Sequence, residues 1–246
     1  MKITKLEIES NILGKEVCQV DEMKDGTSFL QEEPSIISKY NPYYIQCILN
    51  AEDLSTIHSM EDAGFRFVEF RLKKMLDIHS FQSVSEYAYY PYYVKTFRDG
   101  NNFKIAQQLL DGSTPDDRFT RDPYIPDDLA RKRLQGYLKK SFDNPASEFL
   151  YGLFNKNTNA LLGFKTIEIK NENQVLFCQT ALQEDFDQQK FTHMLDSLII
   201  SQLYEEGYRS FYAVTSGLNL MEMNLHLSVL KYKNVSATVI LRKVYA

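Results

Sequence analysis

The chain has 246 residues, 28 lysines and arginines against 33 aspartates and glutamates, a net charge of -5, and a hydrophobic share of 43%. This is the composition of a folded protein with room for one large domain or two modest ones. It offers no Lys/Arg block to neutralise a phosphate backbone, no apolar run near the ~20 residues of a membrane span, and only three scattered cysteines, Cys18, Cys47 and Cys178, so nucleic acid, membrane, disulfide framework and zinc are not expected.

The opening Met1-Lys-Ile-Thr-Lys has no signal-peptide core, which makes a cytoplasmic location the default expectation. Lys2 to Ile8 alternates as a strand does, and Tyr43 to Leu49 is a denser apolar run behind Asn41-Pro42. Ala51 to Ala63 carries Leu54, Ile57 and Met60 at helical spacing and ends at Gly64. Phe65 to Leu72 alternates again, so strand, helix and strand make a βαβ piece. Residues 1–85 are therefore expected to form a small α/β N-terminal domain, with the junction in the turn-rich Ile78 to Glu86.

Tyr92 to Phe97 predicts a strand, and Asn101 to Leu110 a helix stopped by Asp111-Gly112. Pro126-Asp-Asp-Leu opens the next helix, whose apolar face is Ala130, Leu134, Tyr137, Leu138 and Phe142. Three strands follow, Glu148 to Phe154, Ala160 to Ile169 and Gln174 to Leu182, joined by short polar links that imply an antiparallel meander. Phe191, Met194, Leu195, Leu198 and Ile199 form a helical stripe closed by Glu206-Gly207. Phe211 to Val214 is a short strand, Leu218 to Leu230 a helix capped by Ser216 or Thr215, and Val235 to Val244 a final strand. If the apolar Val235 to Leu241 were an edge, two copies could pair along it as a homodimer.

Between the first two helices of the later half lies Arg118-Phe119-x-x-Asp122-Pro123, within Asp116 to Ile125. Ordinary packing does not require that combination. Together with the order of elements it resembles the GNAT (Gcn5-related N-acetyltransferase) superfamily, in its TDP-fucosamine acetyltransferase-like branch. The resemblance implies an α/β fold over residues 86–246, a mixed and largely antiparallel sheet flanked by helices. It also implies that Gln174–Leu182 and Phe211–Val214 splay apart, with the pantetheine arm of acetyl-CoA against free backbone at Ala181 and Leu182.

Such enzymes cradle the CoA diphosphate with Gln/Arg-x-x-Gly-x-Gly/Ala at a helix N-terminus, where bare N–H groups and the helix dipole meet the anion. Here the segment reads Asp-Phe-Asp-Gln-Gln-Lys-Phe-Thr without glycine. It places Gln188, Gln189, Lys190, Phe191 and Thr192 at the corner, with Lys190 able to add a charge. Asn219 matches an amide near CoA, with Asn224 one helical turn further on. His226 falls where the family's tyrosine acid sits and would protonate the CoA thiolate. Tyr232 keeps the family's aromatic, while Lys231 replaces its glycine. Arg118, Phe119 and Asp122 would line the acceptor side.

Each of these residues has a plainer reading. Arg118 and Asp122 could be an ion pair fixing a loop, and His226 a satisfied core histidine. The aromatics from Tyr87 to Tyr93 could be packing rather than a stacking platform for a nucleotide. His58, His79 and His193 share no ligand spacing, so no metal is assigned. The expected function is direct transfer of an acetyl group from acetyl-CoA to a small-molecule amine acceptor. The resemblance suggests a nucleotide-linked amino sugar. The alternatives are a GNAT-like binding or scaffold domain that has lost acetyl-CoA, and an enzyme using another acyl-CoA.

Overall fold

A computed structural model describes residues 1–22, 25–85, 88–113 and 117–245. Asp116, Tyr87, Glu86 and Ala246 lie outside the described residues. The elements in chain order are β1 (Lys2–Lys5), α1 (Glu7–Leu13), β2 (Val17–Asp21), α2 (Gly26–Tyr40), β3 (Tyr44–Asn50), α3 (Leu54–Asp62) and β4 (Arg66–Leu76). There follow β5 (Tyr92–Thr96), α4 (Gly100–Asp111), α5 (Arg118–Arg121), α6 (Asp127–Asp143), β6 (Glu148–Asn155), β7 (Leu161–Asn171) and β8 (Gln174–Leu182). The chain ends with α7 (Gln188–Glu205), β9 (Ser210–Ser216), α8 (Leu220–Asn224), a π-helical turn (Leu225–Val229) and β10 (Tyr232–Val244).

Side-chain caps set many helix starts. Asp25, Asp53 and Asp99 each accept from the backbone N–H three residues on. Gly64 adopts φ +93° to release the chain from α3 into β4. Three sequence expectations change. The first strand stops at Lys5 because α1 begins at Glu7, and the short α1 and β2 and the Pro34-containing α2 leave no clear period. The Arg-Phe loop folds as one helical turn under a capping box from Asp117. The late helix starts at Leu220, capped by the Asn219 side chain accepting from Glu222 N at 3.1 Å, not by Ser216 or Thr215.

One ten-stranded sheet runs β1-β2-β3-β10-β4-β9-β8-β7-β6-β5. The pairs β2–β3 and β8–β9 are parallel and the rest antiparallel. β3 and β4, the two strands of the βαβ piece, leave a slot one strand wide, and β10 fills it. The final strand is thus interior, not an edge. β4 in turn pairs with β9, so the early and late parts of the chain share one sheet. Helices α2, α3, α7 and the π-helical turn cover one face, and α1, α4, α5 and α6 the other. Among the described residues no helix is long and apolar enough to cross a membrane.

Candidate functional site

β8 and β9 pair through only four rungs, Gln174↔Ser210 to Phe177↔Ala213. β8 then continues to Leu182 and β9 to Ser216 without pairing to each other. The cause is local. Opposite β7 the register slips between Lys165↔Thr180 and Ile167↔Phe177, so Cys178 and Gln179 form a bulge that bends β8 away. Gln179 N turns to the Thr166 hydroxyl at 2.9 Å, which fixes the bulge. The result is a V-shaped gap, with Ala181 and Leu182 on one arm and Val214 to Ser216 on the other. Ala181, Leu182 and Thr215 are buried and Val214 is exposed, and the β9-facing backbone edge of residues 178–182 has no strand partner.

On the α7 face of this gap the core is polar. Lys74 and Lys165 are 0% exposed, Asp196 1% and His226 0%. Lys165 Nζ lies 2.5 Å from Asp196 Oδ1. His226 Nε2 stands 3.6 Å from Asp196 Oδ2 and 4.0 Å from Glu222 Oε1, ion-pair separations rather than hydrogen bonds. Its ring leans on Tyr232 at 4.7 Å. Seven buried atoms here lack a hydrogen-bond partner: Lys74 Nζ, Thr180 Oγ1, Asp196 Oδ2, Thr215 Oγ1, Tyr232 Oη and both ring nitrogens of His226. Orphaned buried polar groups are costly and uncommon, so seven together single this cluster out as the candidate site. Among the described residues no group of His, Cys, Asp and Glu is arranged to hold a metal ion.

Charge is tuned within the cluster. Burial pushes the Lys74 ammonium down to about 8; Glu222 opposes this and Lys165 adds to it. Burial also raises the Asp196 carboxyl, but the Lys165 charge and His226 outweigh it, and the group is held below the usual carboxylate range. Burial, then Asp196 and Glu222, drive the Tyr232 phenol well upward. His226 is therefore in the cluster, as its position in the sequence suggested. Its neighbours Lys74, Lys165 and Asp196 were missed. For Lys165 and Asp196 the available signal was a charge within the apolar stretches of β7 and α7, whereas Lys74 stood among the other charges of β4.

The other residues divide. Asn219 is consumed as the cap of α8, its amide also donating to Glu222 Oε2 at 3.0 Å, and Asn224 is exposed. Lys231, where the family pattern has glycine, adopts the left-handed φ of +63° that favours glycine. At the start of α7, Asp187 Oδ1 accepts from Lys190 N at 2.9 Å. The Gln188 amide donates to Gln183 O at 2.9 Å, Phe191 stacks on Phe186 at 4.3 Å, and Thr192 is buried. Gln189 and Lys190 are exposed beside Glu184, Asp185 and Asp187. A carboxylate thus already occupies the helix start where a diphosphate would sit. The helix start therefore already carries a carboxylate on its Lys190 N–H, with three acidic side chains around it.

Arg118 and Asp122 do not pair with each other. Arg118 Nη1 reaches Glu69 Oε2 on β4 at 3.0 Å, and Asp122 takes Arg242 of β10 in a two-pronged pair, Nη2 to Oδ1 at 2.6 Å. Phe119 lies between the guanidiniums of Arg118 and Arg133, at 4.2 and 3.9 Å. These three side chains clamp the loop onto the sheet face opposite α7. The tyrosine run is split: Tyr92 packs on Phe191 and Tyr93 on Phe154, while Tyr90 is exposed.

No family model matches the chain, and no curated protein matches its sequence. Solved structures do match. A functionally unknown conserved protein from Staphylococcus epidermidis aligns at TM-score 0.65 and 12% identity, over 94% of this chain and 85% of its own. A GCN5-related N-acetyltransferase from Sphaerobacter thermophilus aligns at 0.65 and 12%, over 98% and 76%. Another from Kribbella flavida gives 0.63 and 9%, over 94% and 82%. Likeness at this identity concerns the fold, a mixed α/β sheet flanked by helices that this chain shares with GNAT proteins along nearly its whole length.

Proposed function

We propose that this chain is an acyl-CoA-dependent N-acyltransferase that moves an acetyl group from acetyl-CoA to the amine of a small acceptor. The observation that carries the reading is the parting of β8 from β9 after Phe177 and Ala213, beside a buried cluster of proton-bearing side chains. A thioester arm needs an unpaired strand edge to hold it, and residues 178–182 offer one. Acyl transfer also needs donors where negative charge develops on oxygen and sulfur. Lys74, His226, Thr180, Thr215 and Tyr232 are unsatisfied donors at that place. The GNAT fold supports the same reading.

The finer expectation, a nucleotide-linked amino sugar as acceptor, rests on the Arg118-Phe119-x-x-Asp122 resemblance. Because those side chains are held in a clamp, they would shape the acceptor side by fixing the loop. The competing reading is a binding domain without acetyl-CoA, and it draws on Asp187 at the start of α7.

Calorimetric titration with acetyl-CoA, paired with thermal unfolding, separates the two. The expected result is saturable heat and a rise in melting temperature, since ligand at a hundred times its Kd stabilises by about 2.7 kcal/mol. The absence of both heat and a thermal shift at millimolar acetyl-CoA would overturn the transferase reading.

A further inference from the structure

We propose that Lys74 is the catalytic acid of this site, the group that meets the departing sulfur of the acyl donor. This rests on the transferase reading and adds a residue and a role to it. Lys74↔Ala213 and Ala213↔Phe177 are successive pairings, so the three residues form one line across β4, β9 and β8. That line is the last rung before the gap opens. The Lys74 side chain shares the α7 face with Leu76, two residues along β4. It therefore stands over the α7 face of the sheet, buried, at the rung where the V begins.

Lys165 of β7 is paired with Asp196 at 2.5 Å, and His226 Nε2 lies within 4.0 Å of two carboxylates. Lys74 Nζ has neither a hydrogen-bond partner nor, among the described residues, a carboxylate at ion-pair distance. Glu222 of α8 and Lys165 of β7 act on it electrostatically, and His226, Asp196 and Tyr232 complete the cluster from the π-helical turn, α7 and β10. A buried ammonium without a protein partner is costly, and an arriving anion would satisfy it.

In the reaction, the acceptor nitrogen bonds to the acyl carbon and the carbon–sulfur bond breaks. Lys74 passes one proton to sulfur, the acceptor nitrogen releases one to water, and water restores the lysine. Amine and thioester become amide and thiol. The acid is well matched, because burial brings the Lys74 amine down to about 8, near an ordinary thiol at about 8.5.

The test does not depend on knowing the acceptor. The protein is labelled at lysine Cε, the Lys74 signal is assigned with Lys74→Met, and its titration is followed by NMR with CoA and with desulfo-CoA, which lacks the sulfur. CoA is expected to raise the Lys74 midpoint by about one pH unit, through the thiolate, and desulfo-CoA to leave it in place. At pH 8 the wild type is expected to prefer CoA about tenfold, and Lys74→Met to bind both alike. If other lysine signals report binding but Lys74 responds equally to both ligands, the assignment of Lys74 falls and the transferase reading stands. If no lysine signal moves with either ligand, both fall together.

Discussion

Asp122, singled out by the sequence for the acceptor side, is held in a buried ion pair. Its carboxylate is buried and pairs with the equally buried Arg242 of β10, 120 positions along the chain. Removing one member strands the other charge in a dry place, whereas removing both does not. Asp122→Asn is accordingly expected to lower unfolding stability by about 3 kcal/mol in urea titration. Asp122→Leu combined with Arg242→Met should recover most of that loss. A single variant as stable as the wild type would show that the pair contributes nothing. The sequence drew attention to Arg118, Phe119 and Asp122. It could not name Glu69 and Arg242 as partners, because neither lies nearby in the chain.

Two elements shape the gap, and they pull in different directions. The bulge at Cys178 and Gln179 turns β8 outward and leaves its edge free. The start of α7 instead commits its Lys190 N–H to the Asp187 carboxylate. The glycine-free segment was visible in the sequence as a departure from a phosphate loop, but the replacement of an external anion by an internal carboxylate was not. Asp187→Asn keeps a capping oxygen and deletes the charge. Since a charge at a helix start is worth about 0.3–1 kcal/mol, acetyl-CoA affinity is expected to rise roughly two- to fivefold in calorimetry, with little change in stability. Unchanged or weaker binding would mean that the phosphates do not approach α7.

The whole molecule is organised by a strand exchange. β10, the last strand, sits between β3 and β4, and β4 then abuts β9, so neither part of the chain completes its sheet alone. Residues 86–246 expressed by themselves would expose β9 and β10 along edges that β3 and β4 now cover. Unpaired interior strands invite association. This fragment is expected to elute as aggregate in size-exclusion chromatography and to lack a cooperative melt. A monomeric fragment with a sharp transition would show that the later part folds independently.

Local periodicity determined the later elements closely. The meander of β6, β7 and β8, the stripe of α7 and the start of α6 were all legible, because alternation and 3.6-residue spacing depend only on near neighbours along the chain. Proximity at the gap was decided by tertiary structure. Lys74, Lys165, Asp196 and His226 come from four separate elements, and only the sheet order brought them together. Strand order depends on which edges find one another in three dimensions, and that choice leaves no period in the sequence.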